Sequence, residues 1–259
     1  MTIEDLKLKM PWVDVTEWSQ HSNGGGWKYK DATVAEKAYL GPHAWVTDSA
    51  WVTDSAVVTD SARVGGSAVV TDSARVGGSA VVTDSARVTD SAVVGDSAWV
   101  TDSAWVGGSA RVTDSARVGG SARVGGSAVV TGLAVVTGLA WVTDSARVGG
   151  SARVGGSARV GGSAVVDGSA WVFSPLYIQA SVHPISVSNR TEVSIGCERN
   201  EIDWWIENFA KIGKKHSYTE ARIAEYGALL SEVKVWMDAL PPEAEILDAI
   251  DRAKAPTLP

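Results

Sequence analysis

Four histidines, one cysteine and a ladder of aspartates are the first candidates in this chain for acid–base, nucleophilic or metal chemistry. His21, His43, His183 and His216 are scattered, and no two stand at the spacing a tetrahedral metal site uses. A general base also needs a positioned substrate pocket, and an uninterrupted prism offers none. Cys197, beside Ile195 and Gly196, reads as a small buried apolar residue. As the single cysteine it excludes an internal disulfide framework. The run Gly119-Gly120-Ser121-Ala122-Arg123-Val124-Gly125-Gly126 lacks the Lys-Ser/Thr that a phosphate-cradling loop places after its last glycine. Asp54, Asp72 and Asp90 recur at a fixed interval. They could hold Ca²⁺ weakly or serve as solvated corner residues bonding backbone. No catalytic, cofactor-binding or metal-ligating residue is therefore assigned, and neither cofactor nor metal is expected.

The fixed interval comes from the element that positions all of these groups. From Ala44 to Val172 a six-residue unit repeats without interruption: AWVTDS, AWVTDS, AVVTDS, ARVGGS and so on. Self-similarity at a constant period is the signature of a solenoid. Each unit is Ala-X-Val followed by a three-residue corner. In an extended strand alternate residues face opposite sides, so Ala and Val point one way and X the other. Ala and Val never vary across these copies, whereas X is Trp, Arg or Val; the first pair belongs inside and X outside. Gly-Gly, Thr-Asp and Gly-Asp supply the corner, since Gly takes positive φ cheaply and Asp bonds nearby backbone.

The charges fix how many units make a coil. With three units per coil, X residues eighteen apart become neighbours at roughly 4.8 Å. One outward row then reads Thr33, Trp51, Val69, Arg87, Trp105, Arg123, Trp141, Arg159. The second reads Tyr39, Val57, Arg75, Val93, Arg111, Val129, Arg147, Val165, and the third Trp45, Arg63, Val81, Trp99, Arg117, Val135, Arg153, Trp171. No arginine follows an arginine. Two units per coil would pile Arg63 on Arg75 and Arg75 on Arg87. Like charges directly opposite in a sheet repel, whereas Arg over Trp gains about 0.5–1 kcal/mol at an exposed site.

The unit Val46-Thr47-Asp48-Ser49-Ala50-Trp51 and its copies resemble the hexapeptide repeat of left-handed parallel β-helices. The match extends back through Val34 and Leu40 and loosely forward through Leu176 and Ile178. It implies an all-β solenoid, a left-handed parallel β-helix of three hexapeptides per coil and about eight to nine coils. That crossover hand is an exception to the usual rule. Many such proteins are acyltransferases with a histidine base beside an extruded loop, and one class of carbonic anhydrases binds zinc through three histidines between subunits. Here the hexads from Val46 to Val172 contain neither histidine nor loop insertion. An acyltransferase reading would need a site between subunits near His43 or His183.

The flanks are expected to close the tube, because a terminal rung exposes unpaired strand edges and an open core. Residues 1–31 form an N-terminal lid anchored by Trp12, Val13, Val15, Trp18 and Trp27, with Gly24-Gly25-Gly26 as a loop or hinge. Residues 32–198 form the β-helix, ending in one or two irregular strands around a His183-Pro184 turn. Residues 199–259 form a C-terminal α-helical cap. Its first helix begins at Asn200 as N-cap, buries Ile202, Trp205, Ile206, Phe209 and Ile212, and ends at Gly213. Ser217 to Glu220 reads as a capping box for a second helix burying Ile223, Tyr226, Leu230, Val233 and Met237. A third short helix runs from Glu243 to Ala253 through Ile246, Leu247 and Ile250. The stretch from SPLYIQ through SIGCERNEIDWWIENFAKIGKKHSYTEARIAEYGALL resembles the end of uncharacterised hexapeptide-repeat proteins encoded by bacteriophages.

Composition narrows the partners. A net charge of −7 and a pI near 5.1 argue against nucleic acid. No apolar stretch approaches the roughly 20 residues of a membrane span, and MTIEDLKLKMPW lacks the apolar core of a secretory signal. The expected location is the host cytoplasm or a virion. The expected function is that of a non-catalytic structural or interaction protein, with a ligand-sequestering module as a further reading. Its surface would be Trp45, Trp51, Trp99, Trp105, Trp141 and Trp171 with Arg87, Arg123 and Arg159. Its partner would be itself, as a homotrimer by fold analogy, or another protein.

Overall fold

The computed structural model describes residues 14–168, 170–171, 174–245 and 248. Trp12, Val13, Val172, Ile246, Leu247 and Ile250 lie outside them. The chain is a parallel β-solenoid of about eight coils with three sheets, closed by an antiparallel sheet and two helices. Each strand of the repeat is the X-Val pair, and strands eighteen residues apart are hydrogen-bonded neighbours: Trp51 pairs with Val69, Arg75 with Val93, Val81 with Trp99. The three outward rows follow the predicted order along the prism, except that the third holds only as far as Arg153. Every described Ala and Val of the inward positions from Ala44 to Val166 is at most 1% exposed. The inward side is thus a single bore of small and β-branched side chains. Each Val contributes about 1.5–3 kcal/mol of transfer energy before chain entropy is subtracted.

The corners close the backbone hydrogen bonds that a bend would otherwise orphan. In the first corner Ala50 N–H donates to Thr47 O at 3.2 Å, and Ser49 N–H donates to Gly66 O of the next coil at 2.9 Å. The middle corner residue adopts left-handed backbone, with φ of +55° to +63° at the ten aspartates that hold it. Glycine fills the same place in the other coils, as at Gly66 and Gly120. These are residue types that enter this region at low cost.

The upper end is covered by an antiparallel hairpin, Trp18–Gln20 with Trp27–Tyr29, whose second strand pairs in parallel with Trp45–Val46. Its glycine loop is a close-approach device. A Cβ on Gly24 would sit 2.3 Å from Leu40 O, and one on Gly26 would sit 2.4 Å from Gly41 O. Asn23 O and Gly26 N–H then pair with the N–H and C=O of Leu40.

The lower end closes differently on each sheet. One sheet ends on Ala170–Trp171, with Gly155 N–H donating to Trp171 O at 2.6 Å. On the second, Arg159 N–H donates to Ser174 Oγ at 3.0 Å. On the third, Val165 N–H donates to Ser186 Oγ at 3.0 Å and Asp167 N–H to Ser188 O at 2.8 Å. On two of the three sheets a serine hydroxyl thus takes the place of the missing next rung as acceptor.

Beyond the prism the expected loose repeat through Leu176 and Ile178 is replaced by a four-stranded antiparallel sheet of Tyr177–Ile178, Ile185–Val187, Glu192–Ile195 and Glu198–Glu201. Ser174-Pro175 breaks the hexad, and the hairpin turns then fold the chain back on itself. Helix α1 is Ile202–Lys215 and helix α2 is Glu220–Asp238. Three of the expected boundaries move. Asn200 lies in the last strand, and Glu201 is the N-cap of α1 without a side-chain cap bond. Gly213 is inside the last turn of α1, where a Cβ would meet Ile223 Cγ1 at 2.8 Å; it allows the helices to approach. Thr219, not Ser217, caps α2 by accepting from Arg222 N–H at 3.4 Å. The buried side of α2 is the expected one: Ile223, Tyr226, Leu230, Val233 and Met237. Residues 243–245 are helical, where the third helix was expected to begin. Among the described residues no helix is long and apolar enough to cross a membrane.

Candidate interaction surface

The outward row that begins at Thr33 carries three of the expected surface tryptophans on one sheet. Trp51 is 55% exposed and Trp141 40% exposed. Trp51 and Trp105 lie three coils apart and Trp105 and Trp141 two, about 14 Å and 10 Å at the inter-strand spacing. Between and beyond them stand Arg87, Arg123 and Arg159, all exposed and in register: Arg87 beside Trp105, Arg123 between Trp105 and Trp141, Arg159 after Trp141. The guanidinium groups of Arg123 and Arg159 both lie 5.2 Å from the Trp141 ring centre, one on each side along the sheet. On the adjacent sheet Arg117 lies 5.7 Å from the Trp99 ring centre. Trp99 and Trp105 flank the corner Thr101-Asp102-Ser103 from its two sides.

Trp105 departs from the ladder. Its ring is half-buried over the glycine corners, so a Cβ on Gly107 would stand 2.2 Å from it and one on Gly125 3.2 Å. A shallow depression is left between Arg87 and Arg123, floored by Trp105, Ser103 and Ser121. Among the described residues none of the nine wall arginines lies within ion-pair distance of a carboxylate. They stack on indoles or face solvent.

Two expected surface residues are interior. Trp45 is buried at 4% exposure, because the hairpin lays Trp18 and Trp27 over it while Arg63 covers its other side at 4.8 Å. Trp171 is fully buried. The repeat predicts that it pairs with Arg153, but the register slips by one: Ala170 pairs with Arg153 and Trp171 with Val154. Such a slip turns a side chain to the opposite face. Trp171 therefore occupies an inward valine's place at the open end of the bore and stacks on Trp236 of α2, with centres 6.2 Å apart and planes 14° from parallel.

The aspartate ladder bonds backbone, and that backbone belongs to the neighbouring coil. Gly66 N–H donates to Asp48 Oδ2 at 2.9 Å, Gly108 N–H to Asp90 at 2.9 Å and Gly120 N–H to Asp102 at 2.8 Å. Each carboxylate thus satisfies the left-handed residue eighteen positions on. These donors hold some carboxyls below the ordinary aspartate range: the Thr71 and Thr53 hydroxyls at Asp54, Gly108 N–H and then Thr89 at Asp90, and the Thr131 hydroxyl and Gly132 N–H at Asp114. Among the described residues no group of three or more His, Cys, Asp or Glu side chains is placed to hold a metal ion.

The remaining candidates for chemistry lie at the two ends of the prism. His43 is exposed at a corner of the first coils, and His21 is buried in the hairpin loop, where its Nδ1 lies 3.2 Å from Asn23 O and 3.3 Å from Asn23 N. His183 lies at the opposite end of the prism, on the order of 40 Å away at the inter-strand spacing. His183 and His216 are brought to one cleft in the cap, together with Cys197. Cys197 is exposed, which corrects the expectation of burial. It follows Gly196, at φ +61°, in the two-residue turn between the last two strands, and such a turn points its side chains to solvent.

One surface feature was missed. Leu133 and Leu139 replace the corner serine in two consecutive units and stand 67% and 62% exposed, beside the outward Val135 and Trp141. The change of corner from TDS or GGS to TGL was the available signal. Comparison of the chain with protein-family models, with curated proteins and with solved structures gives no match.

Proposed function

We propose that this chain is a non-catalytic scaffold whose rigid prism docks a protein partner through the Trp–Arg wall of one sheet, a second copy of the chain being the first candidate. The observation that carries the reading is the alternation of Trp51, Trp105 and Trp141 with Arg87, Arg123 and Arg159 on one sheet, the arginines having no ion pair among the described residues. Trp and Arg are the residue types that dominate binding hot spots. A solenoid wall presents them preorganised, so little side-chain and backbone order must be lost on docking. The exposed Leu139 extends the apolar part of the wall around one corner from Trp141. The resemblance of the closing stretch to phage-encoded hexapeptide-repeat proteins supports a phage origin, with action in the host cytoplasm or within a virion.

The experiment is sedimentation velocity and native mass spectrometry across the micromolar range, on the parent chain and on the double variant Trp51→Ala, Trp141→Ala. The expected result is a closed oligomer of the parent and a folded monomer of the variant. A parent that stays monomeric throughout removes self-association. Docking to another protein then requires a partner, co-purified from the native host, whose binding the same variant abolishes.

A further inference from the structure

The cap contains a cleft that the scaffold reading does not use. It lies between α1, α2 and the turn at Gly196 and has a cavity volume of about 80 Å³. That is below the roughly 300–1,000 Å³ of drug-sized ligand sites and leaves room for a small head group only. Four aromatic rings line it: Trp205 and Phe209 from α1, Tyr218 from the connection and Tyr226 from α2. The polar ends of the two most buried are already engaged. Trp205 Nε1–H donates to Val193 O at 2.8 Å. The Tyr226 hydroxyl donates to His183 O at 2.8 Å and accepts from His183 N–H at 2.7 Å. These residues offer a ligand ring surface rather than hydrogen bonds, which disfavours a sugar or a nucleobase.

The charge at the rim selects among apolar ligands. Among the described residues Glu198 is the only carboxylate lining the cleft, and neither Lys nor Arg lines it; Lys214, Lys215 and Arg222 are exposed outside it. Glu198 Oε1 stands at the mouth, 3.8 Å from His216 Nε2. Aromatic faces carry negative quadrupole density, and rings gathered beside a carboxylate attract a cation whose charge is spread over apolar substituents. We propose that this cleft binds a small organic cation of the methylated- or quaternary-ammonium class, with Phe209, Tyr218 and Tyr226 as the cage and Glu198 as the counter-charge.

The test uses the full chain, choline as the probe, and choline's uncharged analogue in which carbon replaces the ammonium nitrogen. Binding is followed by calorimetry and by the fluorescence of the cap tryptophans. Choline is expected to bind saturably and about tenfold or more tightly than the uncharged analogue, the increment of a partly desolvated cation–π site. Glu198→Gln is expected to weaken choline about tenfold while leaving the analogue unchanged; circular dichroism verifies that this conservative surface variant folds. Equal affinity for the two probes, or no saturable binding of choline at millimolar concentration, overturns the proposal. Choline binding that Glu198→Gln leaves unaltered overturns the role of Glu198.

Discussion

Trp171→Ala should cost about twice or more what Trp51→Ala costs, although the hexad treats the two positions as equivalent. Trp171 is fully buried, closes the bore at the level of Val154 and stacks on Trp236. A buried indole covers about 200 Å², which at about 25 cal/mol per Å² is ~5 kcal/mol as an upper bound. Core Trp→Ala replacements cost about 3–5 kcal/mol; we take ~4 kcal/mol. Trp51 is 55% exposed and has Thr33 and Val69 as its neighbours along the sheet. Roughly half the area and no enclosed cavity leave at most ~2 kcal/mol by the same bookkeeping. Urea unfolding followed by far-ultraviolet circular dichroism resolves that difference. Hydrogen exchange locates it, because a solenoid's repeats are stabilised by their nearest neighbours. In Trp171→Ala the amides of Arg147 to Val166 should lose protection while those of Val57 to Val70 keep theirs. Equal destabilisation by the two variants, or protection lost evenly along the prism, would refute the assignment of Trp171 as the plug. Trp171→Val, which restores the repeat's inward residue but not the stack on Trp236, should fall between.

Two further outcomes follow from the bore and the corners. Ala110 is buried between Ala92 and Ala128 of the adjoining coils, so Ala110→Leu should overpack the bore by about 1–3 kcal/mol; an unchanged thermal midpoint would count against the inward placement of Ala. Asp54, Asp90 and Asp114 are held below the ordinary carboxyl range by hydroxyl and backbone donors. The stability they contribute is present above the unfolded aspartate range and is lost as the pH falls from that range through their lowered values. Unfolding midpoints should therefore be level from neutral pH to the upper edge of the aspartate range and drop below it. Replacing the three by Asn should flatten that drop, and an equal drop in the triple variant would mean that other groups cause it.

The period, the three-unit coil and the inside-outside partition were legible in the amino-acid order, because a repeat states each contact many times. A residue and its neighbour eighteen positions away belong to one rule, and like charges exclude the alternative stacking. The predicted rows Tyr39 to Val165 and Thr33 to Arg159 are the observed ones. The buried side of α2 was likewise written in its helical spacing. The ends were not legible. Trp45 and Trp99 sit in the same local pattern, AWV, and only the hairpin that lays Trp18 and Trp27 over Trp45 makes one interior and the other 46% exposed. The register slip at Trp171 has no local signature either: it is favoured by an open bore and by Trp236, sixty-five positions away in the chain. The same holds for the cap cleft, whose rings come from α1, α2 and their connection and converge only once the helices pack. Local order determines which way a strand residue points. Whether anything stands there to cover it is decided by segments distant in sequence, and that belongs to the tertiary structure.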